Sequence, residues 1–158
     1  MKYFSYILIL LVFYPFFGCD NNFIEKNHID ADIIFHRSHE AKKKEAPFSD
    51  VVQVGNTFYL SGQIGINHKT RELVDGGIVV ETTQTLENIK AVLNQHHLEM
   101  TDVIKVMVVL DEIEDFAIFN KIYETYFPQK PARTTFAVQD LAKGAKIEIE
   151  VIAFKRIR

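Results

Sequence analysis

The chain reads as a single α+β domain in which two helices pack against one face of a sheet. Three observations predict this. Short apolar runs suited to strands flank two segments whose apolar residues recur every three to four positions. The two kinds of segment follow in the order strands, helix, strand, helix, strand, strand, which suits an α+β domain with both helices against one sheet face. The length of 158 residues, 47% of them hydrophobic, fits one domain with a sizeable core.

Each element has a local reason. Residues 32–36 (Asp-Ile-Ile-Phe-His) form a short apolar run suited to a first strand, and residues 51–54 a second. Gly55-Asn56 supplies turn residues before the run from Thr57 to Ile64, so these two strands read as a hairpin. Residues 67–71 are turn-like, and Gly76-Gly77 ends a short extended piece at residues 72–74. Val79, Leu86, Ile89 and Leu93 then recur at helical spacing, which predicts a helix over about residues 80–97. Phe116, Phe119, Tyr123 and Tyr126 repeat at intervals of three and four, and Pro128 stops this second helix. The aromatic row reads as core and not as a cofactor box.

Between the helices, residues 102–111 alternate as an inner strand, with Ile104, Val106, Val108 and Leu110 on a wholly apolar face. The last two strands sort in the same way. Arg133 and Thr135 share one side of theirs, with Thr134, Phe136 and Val138 on the other. In the final strand Ile147, Ile149, Val151 and Ala153 oppose Glu148, Glu150, Ile152 and Phe154. If the apolar rows face a common core, Arg133 and Glu148 emerge together on the face away from the helices. No remaining segment is long and apolar enough to cover that face. Self-association through it is the simplest expectation, and it would make both residues interface residues.

The N-terminal residues stand apart. Lys2 precedes a charge-free run over residues 3–17, and Gly18-Cys19 follows, so residues 1–19 read as a secretory signal. The run is short for a membrane-spanning helix. A small residue followed by cysteine after an apolar segment resembles the bacterial lipoprotein processing site. Cys19 is then the lipidated residue, and the protein is held at the periplasmic or cell-envelope side of a membrane. Phe16 and Phe17 stand where such sites usually carry an aliphatic and then a small residue, so an uncleaved apolar anchor is the alternative. Residues 20–31 are polar and aperiodic, and read as a tether to a domain over residues 32–158. Cys19 is the only cysteine, which excludes a disulfide within the chain, a thiolate metal site and a cysteine nucleophile in the domain. A net charge of -3 carries no nucleic-acid footprint. The basic run Lys42-Lys43-Lys44, beside Glu40 and Glu45, reads as a solvated linker.

Several motifs, taken in order, resemble the RidA (YjgF) family of small imine deaminases. They are Pro47-Phe48-Ser49, Leu60-Ser61-Gly62-Gln63-Ile64-Gly65, and Thr83-Gln84-Thr85-Leu86-Glu87-Asn88-Ile89-Lys90. Asp115-Phe116-Ala117, Asn120 through Tyr123-Glu124, Tyr126-Phe127-Pro128, Pro131-Ala132-Arg133 and Ile147-Glu148-Ile149-Glu150 complete the set. The resemblance covers roughly residues 33–154. It implies a chorismate-mutase-like fold with a mixed sheet, a homotrimer, and active sites in the clefts between subunits. It also implies cofactor-free and metal-free hydrolysis of 2-imino acids, formed from enamines such as 2-aminoacrylate, to 2-oxo acids and ammonia. On this resemblance Arg133 grips the substrate carboxylate and Glu148 positions water and moves its proton. Thr135 stands where relatives often carry cysteine, Asn120 and the backbone at Gly62 line the pocket, and Phe48 replaces a common tyrosine.

Plainer roles exist for the same residues. Arg133 could form an interface ion pair with Glu148 or Glu150, Asn120 could merely hold a loop, and Ser61-Gly62-Gln63 could be a strand approached closely by another backbone. His36, His39, His96 and His97 read as solvated or helix-end histidines, not metal ligands. The whole protein could also be a non-catalytic trimer that binds a small carboxylic acid or a partner.

Overall fold

The computed structural model describes residues 32–40, 43 and 45–156. The signal-like run, Cys19 and residues 20–31 of the tether lie outside the described residues. Six strands, β1 (Ile33–His36), β2 (Val51–Val54), β3 (Thr57–Ile64), β4 (Val103–Leu110), β5 (Ala132–Ala137) and β6 (Ile147–Phe154), form one sheet in the order β1-β2-β3-β6-β4-β5. All neighbours are antiparallel except β4 and β5, so the sheet is mixed. The parallel pair needs a crossover, and helix α2 (Phe116–Tyr126) supplies it. Helix α1 (Gly77–Gln95) links β3 to β4, and α1 and α2 both pack on one sheet face. The expected α+β layering with two helices on one face is therefore present.

The core lies between helices and sheet. Leu86, Ile89, Leu93, Phe119 and Phe127 meet Phe58, Leu60, Val106, Val108, Ile147 and Ile149, all of them buried. Burying a side chain of this size stabilises the fold by about 1.5–3 kcal/mol, so this layer is the main source of stability. The opposite sheet face has no cover within the described chain. Tyr59, Phe136 and Phe154 stand exposed there, and Met107, Val109 and Ile152 are half-buried.

Three expectations about facing are corrected. Helix α1 begins at Gly77, three residues earlier than expected, so Ile78 enters the core and Val79 stays 49% exposed. In β4 the register with β6 shifts between Val103 and Lys105. The extra residue turns Val103 inward and leaves Ile104 outside, because a bulge inverts the alternation on one side of itself. The third correction concerns β5. Arg133 pairs in register with Val106 and Thr135 with Val108, both core residues, so Arg133 and Thr135 face the helices. Glu148 pairs with Val109 and Ile64 on the open face. Arg133 and Glu148 therefore lie on opposite faces of the sheet in one chain, not on the same face. The physical reason is that β5 is an edge strand whose helix-side surface is covered by aromatic rings of α2, and a long stacked guanidinium fills that place.

Candidate active site: two half-sites

The Arg133 half-site is built by β5 and α2. The Arg133 guanidinium lies 4.5 Å from the Tyr123 ring centre, 5.3 Å from Phe119 and 5.5 Å from Phe116. Its Nη1 donates to Asn120 Oδ1 at 2.8 Å, and Asn120 Nδ2 donates to Glu124 Oε1 at 2.7 Å. Helical spacing makes this possible, because residues 116, 119, 120, 123 and 124 stack on one face of α2. The rings and the amide hold the guanidinium in a fixed plane while leaving other N–H donors free. A cavity of about 550 Å³, lined by Asn120, Tyr123, Glu124, Phe127 and Pro131 among others, opens beside Arg133. Thr135 Oγ1, two residues along the same strand face, is buried without a hydrogen-bond partner among the described residues.

The Glu148 half-site is built by β3, β6 and the segment before β2. The β3–β6 register shifts between Leu60 and Gln63, which places a bulge at Ser61 and Gly62. Gly62 there faces the Glu148 side chain so closely that an added Cβ would overlap Oε1 and stand 2.9 Å from Cδ. The close approach suggested by the Ser61-Gly62-Gln63 motif is thus made to the carboxylate itself. Ser61 Oγ donates to the Ser49 carbonyl at 2.7 Å and Ser61 N donates to the Asp50 carbonyl, which hold the neighbouring Phe48 segment to the bulge. A cavity of about 310 Å³ is lined by Phe48, Gly62, Ile64, Asn88 and Glu148, with basic groups at its edge. Burial first, and then the negative charge of Glu150, push the Glu148 carboxyl above the ordinary carboxylate range.

The expected residues therefore separate into two sets. Arg133, Asn120 and Thr135 belong to one, and Glu148, Gly62 and Phe48 to the other. Arg133 and Asn120 line one cavity and Glu148, Gly62 and Phe48 line another, while Thr135 lies on the Arg133 face of β5 without lining either. Asn120 holds Arg133 and not merely a loop. Within the chain, Arg133 makes no ion pair with Glu148 or Glu150 among the described residues.

Some contacts around these residues were not foreseen. The aromatic row of α2 is core at Phe119 and Tyr123, and it is also the platform under Arg133. Its spacing with Asn120 was the available signal. Asn88, buried in α1, donates to the Ile64 and Ile66 carbonyls at 3.0 and 2.9 Å and so pins the end of β3 next to Glu148. Lys43 is not a solvated linker residue, since its side chain is 11% exposed and reaches Asp50 at 3.4 Å. The His36 and His96 rings meet edge to face at 4.5 Å, and burial, then His36, hold the His96 pKa below its usual value. Among the described residues no group of three or more His, Cys, Asp or Glu is arranged to hold a metal ion.

Comparison with known proteins agrees with this architecture. Residues 38–155 match the family model described as Endoribonuclease L-PSP. The chain is 44% identical over 125 residues to a RutC family protein of Pyrococcus horikoshii, covering 78% of this chain and 98% of that one. It is 41% identical over 110 residues to the human protein named 2-iminobutanoate/2-iminopropanoate deaminase, covering 69% of this chain and 80% of the relative. The crystal structure of the Escherichia coli YjgF gene product superposes with a TM-score of 0.71 at 34% identity, over 78% of this chain and 99% of that one. RidA from an Antarctic Psychrobacter superposes with a TM-score of 0.68 at 32% identity, over 79% and 98%. With the family model spanning most of the domain, and with a sheet, two helices and relatives that all agree, this chain belongs to the RidA/YjgF (Endoribonuclease L-PSP) family.

Proposed function

We propose that the protein is a deaminase that hydrolyses 2-imino acids to 2-oxo acids and ammonia, in sites completed between copies of the chain in a homotrimer. The observation that carries this reading is the division of the guanidinium and the carboxylate between opposite faces of one sheet. A substrate that needs both must take Arg133 from one subunit and Glu148 from its neighbour. The open apolar face supports the assembly, since association would bury Tyr59, Ile152, Met107 and Phe136.

The chemistry follows from the groups. Arg133, held flat by Asn120 and the rings, takes the substrate carboxylate in a two-pronged hydrogen bond. Glu148, with its raised pKa, accepts a proton from water as the water oxygen bonds to the imine carbon. It returns that proton to nitrogen, giving the carbinolamine, and then carries the hydroxyl proton to the same nitrogen as the C=O bond forms and the C–N bond breaks, so that ammonia leaves and the 2-oxo acid remains. Gly62 keeps the space beside the carboxylate free of a side chain. Phe48 supplies a wall without a phenolic hydroxyl, which directs attention to substrate preference, not reaction type. The apolar run and Cys19 support placement at the cell envelope, which Cys19→Ala with palmitate labelling and fractionation tests.

The direct test generates imines in situ with an amino-acid oxidase and follows their decay. Wild type should accelerate it, and Arg133→Ala and Glu148→Ala should remove the acceleration. Carboxylate binding with no turnover of any imine would instead identify a non-catalytic binding trimer.

A further inference from the structure

The cavity beside Glu148 is rimmed by basic side chains. Lys43, His68, Arg71 and Lys143 all line it. Among the described residues, two carboxylates besides Glu148 answer them. Glu40 accepts from Arg71 Nη1 at 2.9 Å and lies 2.6 Å from His68 Nδ1, so one carboxylate serves two basic groups. Asp50 serves Lys43. Lys143 Nζ reaches a carbonyl instead, that of Arg71, at 2.9 Å, so its charge is not neutralised by any of these groups. Its backbone stands at φ 61°, beside Gly144 at φ 71°, in a conformation where glycine is the inexpensive residue. A lysine occupies that position, and its side chain lines the rim of the cavity.

Size points the same way. At about 310 Å³ in a single chain the cavity stands at the low end of the range that houses drug-sized ligands, whereas an imine of the alanine type has about six heavy atoms. A longer side chain fits, and the rim determines its charge. We propose that this rim is a second anion subsite, centred on Lys143 with Arg71 and His68 behind it, which selects 2-imino dicarboxylic acids over monocarboxylic ones. The inference rests on the deaminase reading and adds the substrate class. The α-carboxylate goes to Arg133, the imine carbon to Glu148, and the distal carboxylate to the rim.

The test uses the full chain and imines generated in situ from aspartate or glutamate, compared with those from alanine or 2-aminobutanoate. The ratio of kcat/KM, dicarboxylic over monocarboxylic, is expected to exceed one by roughly fivefold, as suits a partly exposed charge pair. Lys143→Gln should bring the ratio near one and Lys143→Arg should restore it. The wild-type ratio should also shrink as salt rises from about 0.01 M to 1 M. A wild-type ratio at or below one, or an equal fall for both imine classes in Lys143→Gln, overturns the subsite. Calorimetric binding of 2-oxoglutarate against 2-oxobutanoate reads the subsite without turnover. If no imine decays faster than in buffer, the deaminase reading fails, and the subsite stands or falls on whether the dicarboxylate binds more tightly and loses that advantage in Lys143→Gln.

Discussion

Replacing Gly62 with alanine adds one methyl group directly opposite the Glu148 carboxylate. The new Cβ would overlap Oε1 and lie 2.9 Å from Cδ and 3.1 Å from Cγ. Ordinary carbon contacts need about 3.5 Å, so Cδ must retreat by at least about 0.6 Å and the oxygen further. Gly62 does not occupy the positive-φ region, so alanine brings no backbone strain of its own. What moves is the free end of a half-buried side chain, and the reduced freedom of the unfolded chain returns about 0.4–1 kcal/mol. The fold should therefore lose less than about 1 kcal/mol, a Tm shift within about 5 °C for a domain of this size. A displacement approaching 1 Å at the group that handles the proton costs about 100-fold in rate. The assay pairs kcat for imine hydrolysis with calorimetric Tm. Gly65→Ala is the contrast, because its Cβ would meet Glu81 Cα at 2.9 Å, which is helix backbone and cannot step aside. That variant should lose about 1–3 kcal/mol of stability, the usual cost of overpacking. A Gly62→Ala enzyme with wild-type kcat would refute the assignment of Glu148 to the reaction.

Further outcomes are expected. Arg133→Lys keeps the charge but loses the planar fork and the stacking on Phe116, Phe119 and Tyr123, so kcat/KM should fall about 10- to 100-fold, read from steady-state imine decay. Glu148→Gln should abolish hydrolysis and yet raise Tm at pH 7. The folded chain holds the Glu148 proton more tightly than the unfolded chain, through burial first and then Glu150, so stability is lost as pH rises through that window. The Tm difference should vanish below about pH 4, where the carboxyl is protonated in both states. Ile152→Lys, on the open face of β6, should leave the monomer folded, dissociate the assembly in light scattering and remove turnover, because no single chain unites Arg133 with Glu148.

Much of the fold was legible in local patterns. The bounds of β2 and β3 agree with the apolar runs and Gly55-Asn56, and the aromatic spacing of α2 and Pro128 marked the second helix. Alternation in β6 was right at every residue, because an inner strand with one buried face obeys period two strictly. It failed at Ile104, since a bulge depends on the partner strand and leaves no mark in its own sequence. The start of α1 was missed because Gly76-Gly77 reads as punctuation, although Gly77 already belongs to the helix.

For the site, the motifs named Arg133, Glu148, Asn120, Gly62, Phe48 and Thr135, and the family resemblance they carry suggested a carboxylate grip at Arg133 and a proton-handling acid at Glu148. Which sheet face each occupies was beyond the sequence. Alternation says which residues of one strand share a face, but it does not say which face of that strand meets the helices. In β5 the choice was made by the rings of α2, which accept a stacked guanidinium where the row of Thr134, Phe136 and Val138 was expected. The sequence thus named the chemical groups, and tertiary packing decided that Arg133 and Glu148 stand on opposite faces of the sheet in one chain.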